Sequence, residues 1–208
     1  MMSKIINKIL SYSRKIFFEK ISPKFKKNSL KGIIDFSYVL FEKIAIKFNI
    51  ISLNYLNLYT DLVQKEIKMA GITSSDSIIV IGCGSLPSTT LIISMKTNAK
   101  IIAIDKDKKA INEAKIFLSN KNMNSKIELK YANGLDYPLD EFDVIIILYG
   151  VKNLEKFFDY MYDNVKTDAR IIVRTNNEMN DSFFKKFKVG KNVESKYLGQ
   201  VKSYLIKK

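Results

Sequence analysis

Residues Ile78 to Thr90 read IIVIGCGSLPSTT. Four branched aliphatic residues run into a turn with glycine at 82 and 84, and a proline followed by three hydroxyl residues leads on. A short apolar run that stops at glycines predicts a buried strand entering a tight turn, and the stretch beyond it predicts a helix. Gly82 and Gly84 let the backbone turn sharply and approach a ligand, because no Cβ obstructs. Pro87 suits the first turn of a helix, where its missing N–H costs nothing. The free amides of that turn and the positive end of the helix dipole then face the crevice at the carboxyl ends of the strands.

Outward from this stretch, two compositional regimes meet near Gly71. After it, short apolar runs alternate with polar helical stretches, which is the pattern of βαβ units and a parallel sheet. Strands are predicted at Ile78–Ile81, Ile101–Ile104, Ile127–Lys130, Val144–Leu148 and Ile171–Arg174, with helices at Ser88–Thr97, Lys108–Asn122 and Leu154–Val165. A short helix around Phe183–Phe187 and a hairpin, Asn192–Leu198 and Val201–Ile206 joined at Gly199-Gln200, close the chain. The expected fold is α/β: a Rossmann-like, mostly parallel sheet of seven strands ending in an antiparallel hairpin. Before Gly71 apolar residues recur at helical spacing (Ile33, Phe36, Leu40, Ile44; Leu58, Leu62, Ile67), so residues 1–70 are expected to form about three helices. Breaks are predicted at Pro23 and at Asn49–Asn54. The domains are therefore read as an N-terminal helical segment, 1–70, serving as cap, and a ligand-binding domain, 71–208.

Composition removes much chemistry. Among 208 residues there is no histidine and one cysteine, Cys83, so a histidine triad, an imidazole base, a histidine-ligated zinc, a thiolate cluster and an internal disulfide are all excluded. A reducing cytoplasm is the expected compartment. The formal charge of +14 invites an acidic partner such as nucleic acid or a membrane surface, but Arg14, Arg170 and Arg174 are the only arginines. Lysine-rich basicity points to compositional bias more than to nucleic acid, whose specific readout recruits arginine forks. No run reaches the ~20 apolar residues of a membrane span, and Lys4 and Lys8 interrupt the apolar core a signal peptide needs.

The second half of the ligand signal is Asp105, which follows IIAI about twenty residues beyond the glycines, where a carboxylate accepts hydrogen bonds from ribose hydroxyls. The alternative role for Asp105 is a cap for the helix near Lys108. A dinucleotide fingerprint places a third glycine where helix and strand pack around the pyrophosphate; Leu86-Pro87 fills that space here. An adenosyl ligand carrying an amino acid in place of phosphates suits the turn better, and that chemistry belongs to S-adenosylmethionine.

With its GxG at the end of the first strand, Asp105 at the end of the second, five parallel strands and a terminal hairpin, the region 71–208 resembles the class I S-adenosylmethionine-dependent methyltransferases. Val80 stands where that family often has an acid. A narrower resemblance is to the nicotianamine synthase family, whose G-x-G-x-L-P-x-T pattern is matched by Gly82, Gly84, Leu86, Pro87 and Thr89. NYLNLYTDLVQKE, from Asn54 to Glu66, and RIIVRTNNEM, from Arg170, also look like segments of that family. The resemblance implies an S-adenosylmethionine-dependent transferase, most simply a methyltransferase acting on a small molecule. Its alternative is transfer of the aminocarboxypropyl group to an amine, and a second alternative is an RNA methyltransferase. It implies cofactor contacts from Gly82, Cys83, Gly84, Ser85, Leu86, Pro87, Thr89, Asp105 and Lys106. Asn133, Gly134 and Leu135 are expected at the adenine, although Asn-Gly is also an ordinary turn. Tyr149 is expected near the methionine end, orienting an acceptor amine or hydroxyl or else packing as a core aromatic. Arg174 is expected to orient the substrate by binding an acceptor carboxylate, and Tyr55 and Tyr59 are expected at the substrate or in the core.

Overall fold

The computed structural model of the chain describes residues 49–119, 126–148, 154–175, 186–196, 198 and 201–208. Helix α1 spans Asn49–Ala70; then follow β1 (Ser77–Ile81), α2 (Ser88–Thr97), β2 (Lys100–Asp105), α3 (Lys108–Ser119), β3 (Ile127–Tyr131), β4 (Val144–Ile147), α4 (Leu154–Asn164), β5 (Arg170–Thr175), β6 (Lys188–Glu194) and β7 (Lys202–Lys207). The strands form one sheet in the order β3-β2-β1-β4-β5-β7-β6. The first five pair in parallel; β7 lies antiparallel between β5 and β6. The chain divides into two compact units, Met1–Tyr55 and Leu56–Lys208, and the sheet lies wholly in the second.

The central strands are aliphatic throughout because both faces of the sheet are covered. Alternation along each strand sends Ile79, Ile81, Ile145, Ile147, Ile171 and Val173 into a core shared with Phe157, Phe158 and Met161 of α4. The intervening residues Ile78, Val80, Ile146 and Ile172 are equally buried on the opposite face. On α1 the buried residues Tyr59, Leu62, Val63, Glu66 and Ala70 recur at helical spacing as one stripe. The helix ends at Gly71, whose φ of 61° is left-handed, with the Ile72 amide donating to the Ile67 carbonyl at 3.0 Å. Asn98 closes α2 in the same conformation, its amide reaching the Ser94 carbonyl.

At the amino ends of the strands, Asp143 accepts the Ser77 amide at 2.8 Å and the Lys166 ammonium at 2.9 Å. Both hold its carboxyl below the usual carboxylate range, the Ser77 amide most. Beside it Arg170 pairs with Asp76 and donates to the carbonyls of Ala70 and Gly71.

The expected fold class is the observed one. The break predicted over Asn49–Asn54 is instead helical, since Ile50, Ile51 and Leu53 carry the apolar pattern straight into α1. In the hairpin, β6 lies earlier than predicted and stops at Glu194. Ser195 ends it, its hydroxyl accepting the Leu198 amide at 2.9 Å and its own amide reaching the Val201 carbonyl at 3.1 Å. The short helix expected around Phe183–Phe187 falls mostly outside the described residues, as do the predicted helices and the Pro23 break before residue 49. No helix among the described residues is long and apolar enough to cross a membrane.

Candidate functional site

The glycine turn leaves β1 with φ of 81° at Gly82 and 66° at Gly84, values that a residue with a Cβ rarely adopts. Its backbone is tied to the neighbouring strand: the amides of Gly82 and Cys83 both donate to the Ile104 carbonyl, at 2.9 and 3.1 Å. One residue on, the Gly84 amide donates to Oδ2 of Asp105 at 2.8 Å. Oδ1 of Asp105 accepts the Asp107 amide at 2.9 Å. The proposed ribose acid and the proposed phosphate-free turn are thus one unit, and Asp105 remains half-buried beside an exposed Lys106. The helix-capping alternative for Asp105 is present in part, through Asp107, which in turn accepts the Lys109 amide at the start of α3.

Beyond the turn, Ser85, Leu86, Pro87, Ser88 and Thr89 are all buried, as is Cys83. Pro87 stands one position before the first helical residue of α2, with φ −75°, and its carbonyl accepts the Leu91 amide at 2.9 Å. The preset φ of proline thus launches the helix.

After β3 the Ala132 amide binds the carbonyl of Asp105 at 3.1 Å, so the next turn starts against the same acid. Asn133 closes that turn on itself: Oδ1 accepts the Leu135 amide at 3.3 Å and Nδ2 donates to Asp136 at 2.9 Å. Gly134 is buried against β1; a Cβ there would lie 2.7 Å from Cγ2 of Ile81 and 3.2 Å from Phe157. The absence of that Cβ lets the Asn133–Leu135 turn sit on the end of β1 against Ile81.

The fourth element of the site was not foreseen. Glu66 of α1 and Arg174 of β5 form a buried ion pair, with 0% and 1% of their side chains exposed. Nε of Arg174 donates to Oε1 of Glu66 at 3.0 Å and Nη2 to Oε2 at 2.6 Å. Nη1 donates to the Thr89 hydroxyl in the first turn of α2 at 2.9 Å, and the Ser203 hydroxyl of β7 donates to Oε1 of Glu66 at 2.5 Å. The Tyr59 ring lies 5.6 Å from the guanidinium. The arginine fork expected to meet an acceptor's carboxylate therefore holds an internal one. Tyr59 is buried over it. Tyr55 lies in α1 with its side chain outside the described residues, and Tyr149 lies outside them altogether.

A signal for Glu66 was available in the sequence. It stands four residues after Leu62 and seven after Tyr59, in the apolar stripe of α1, and a carboxylate at such a position requires a partner. The sequence calls for such a partner but does not single out Arg174 among 35 lysines and arginines.

Residues 72–203 match the family model described as a methyltransferase domain. The L-histidine 2-aminobutanoyltransferase of Yersinia pestis is 23% identical over 132 residues, 62% of this chain and 49% of that enzyme. A probable cobalt-precorrin-6B C(15)-methyltransferase (decarboxylating) of Thermoplasma volcanium is 36% identical over 77 residues, 36% of this chain and 38% of that protein. The chain thus spans less than half the length of these curated relatives. Among solved structures, a mutant of the nicotianamine synthase MtNAS in complex with S-adenosylmethionine superposes with a TM-score of 0.71 at 16% identity, over 81% of this chain and 70% of that one. That likeness is one of fold.

Proposed function

The chain belongs to the methyltransferase-domain family, and from that premise we propose that it is an S-adenosylmethionine-dependent transferase acting on a small-molecule acceptor. Residues 71–208 form its catalytic domain in this reading, and the cytoplasm, where a lone buried Cys83 stays reduced, is its compartment. The observation that carries the reading is the bond between Gly84 and Asp105. Each carboxylate oxygen takes one backbone amide and keeps further lone pairs, so the acid is held in place while still able to accept from a vicinal diol. The residues fit an adenosyl ligand: left-handed glycines that bring backbone close, and an oriented carboxylate.

Bound S-adenosylmethionine supplies a sulfonium whose carbon substituents are already activated. The chain's share is to hold the adenosyl end at Asp105 and the Asn133–Leu135 turn, and to align the acceptor. Neither task needs an imidazole, which agrees with a chain without histidine.

Methyl transfer is the simplest outcome. A second reading, aminocarboxypropyl transfer to an amine, is favoured by the GxGxLPxT pattern from Gly82 to Thr89. It is favoured too by one curated relative, an aminobutanoyltransferase. Product analysis separates the two: incubation with S-adenosylmethionine and candidate amines yields S-adenosylhomocysteine after methyl transfer and methylthioadenosine after aminocarboxypropyl transfer. Formation of neither, across a broad acceptor panel, counts against both. An RNA-directed activity predicts binding that weakens steeply with salt, and absence of RNA binding at low salt removes it.

A further inference from the structure

The six residues from Gly84 to Thr89 are pinned at both ends by side chains of the sheet. At one end the Gly84 amide is held by Asp105 at the carboxyl end of β2. At the other, the Thr89 hydroxyl is held by Nη1 of Arg174, near the carboxyl end of β5. Between them lies the turn whose amides and helix N-terminus the proposed cofactor would meet. Arg174 is itself immobilised: two of its nitrogens engage the Glu66 carboxylate, and Glu66 is further held by Ser203, the register partner of Arg174 on β7.

From this arrangement we infer that Glu66 and Arg174 are positioning residues for cofactor binding, acting through Thr89 to fix the first turn of α2 against the sheet. The inference rests on the transferase reading above. Three features set the arrangement apart from packing alone. Glu66 sits in the apolar stripe of α1 against Arg174 of β5, where aliphatic residues would pack without desolvating two charges, and a buried ion pair is weak evidence of gain in stability. A guanidinium has only donors, so Thr89 must accept with a lone pair, which fixes the rotamer of its hydroxyl. Finally, Thr89 lies five residues after Gly84, so its tether removes the freedom that Gly82 and Gly84 give the turn. A site whose supporting groups are locked binds its ligand without the cost of ordering the loop.

The test is calorimetric titration of S-adenosylmethionine into the full chain and its variants, with a thermal melt of each. Thr89→Val preserves shape and removes the acceptor of a buried guanidinium N–H; it is expected to weaken cofactor binding about ten-fold and to lower the melting temperature, and Thr89→Ser is expected to restore both. The paired replacement Glu66→Met with Arg174→Met, which leaves no orphaned charge, is expected to weaken binding to the same extent. Adding Thr89→Val to that pair is expected to cost nothing further. Unchanged affinity in Thr89→Val and in the paired replacement overturns the positioning role while leaving the transferase reading intact. Failure of the unsubstituted chain to bind S-adenosylmethionine contradicts the transferase reading itself, and the positioning role with it.

Discussion

The amide of Gly84 donates to Oδ2 of Asp105 at 2.8 Å, so the turn after β1 and the acid that ends β2 are coupled. Their separation in sequence is 21 residues, bridged by one helix and one strand of a parallel sheet.

Asp105→Ala removes this coupling together with the acceptor for ribose hydroxyls. Hydrogen bonds to charged groups contribute about 1.5–3 kcal/mol each, so losing the acid is expected to weaken S-adenosylmethionine binding about a hundred-fold or more. Isothermal titration of the variant checks this, with circular dichroism confirming that the sheet persists.

Glu66 and Arg174 are expected to be costly to remove singly. With both side chains buried, truncating one strands the other's charge, a loss of about 3–5 kcal/mol. Urea unfolding of Glu66→Ala and Arg174→Ala measures it, and joint replacement by methionine is expected to recover most of it. Single costs below about 1 kcal/mol contradict the geometry.

Much of the fold was legible because its signals are local. The strand IIVI, the glycines and Asp105 are each set by runs of a few residues, and the parallel order follows from strands alternating with helices. The Glu66–Arg174 pair was not read because its partners stand 108 residues apart, and only the packing of α1 on β5 and β7 brings them together. The displacement of β6 has another cause. That strand is exposed at nearly every position, so no burial pattern marks it in the sequence, and a bulge between Val189 and Asn192 breaks its alternation.

Gly134→Ala is expected to destabilise the chain by about 1–3 kcal/mol through overpacking, because the added Cβ meets Cγ2 of Ile81 at 2.7 Å. A shifted Asn133–Leu135 turn also weakens cofactor binding in this account. Thermal melts and titration of the one variant read both effects.

Asp143 makes part of the stability acid-sensitive. The Ser77 amide and Lys166 lower its folded pKa, so the folded state binds fewer protons than the unfolded state in acid. Its contribution is complete above the unfolded carboxyl's value of about 3.9 and is lost as pH falls through the lower folded value. Denaturant midpoints measured from pH 6 down to pH 2 are expected to fall less steeply for Asp143→Asn than for the unsubstituted chain.

The central claim is that the turn IGCGSLP and Asp105 bind an adenosyl amino acid and not a dinucleotide. Its most direct test is calorimetric titration of the full chain with S-adenosylmethionine and, in parallel, with NAD. The account predicts saturable heat with S-adenosylmethionine, lost in Asp105→Ala, and none with NAD. Heat with NAD, or none with S-adenosylmethionine from a folded chain, contradicts it.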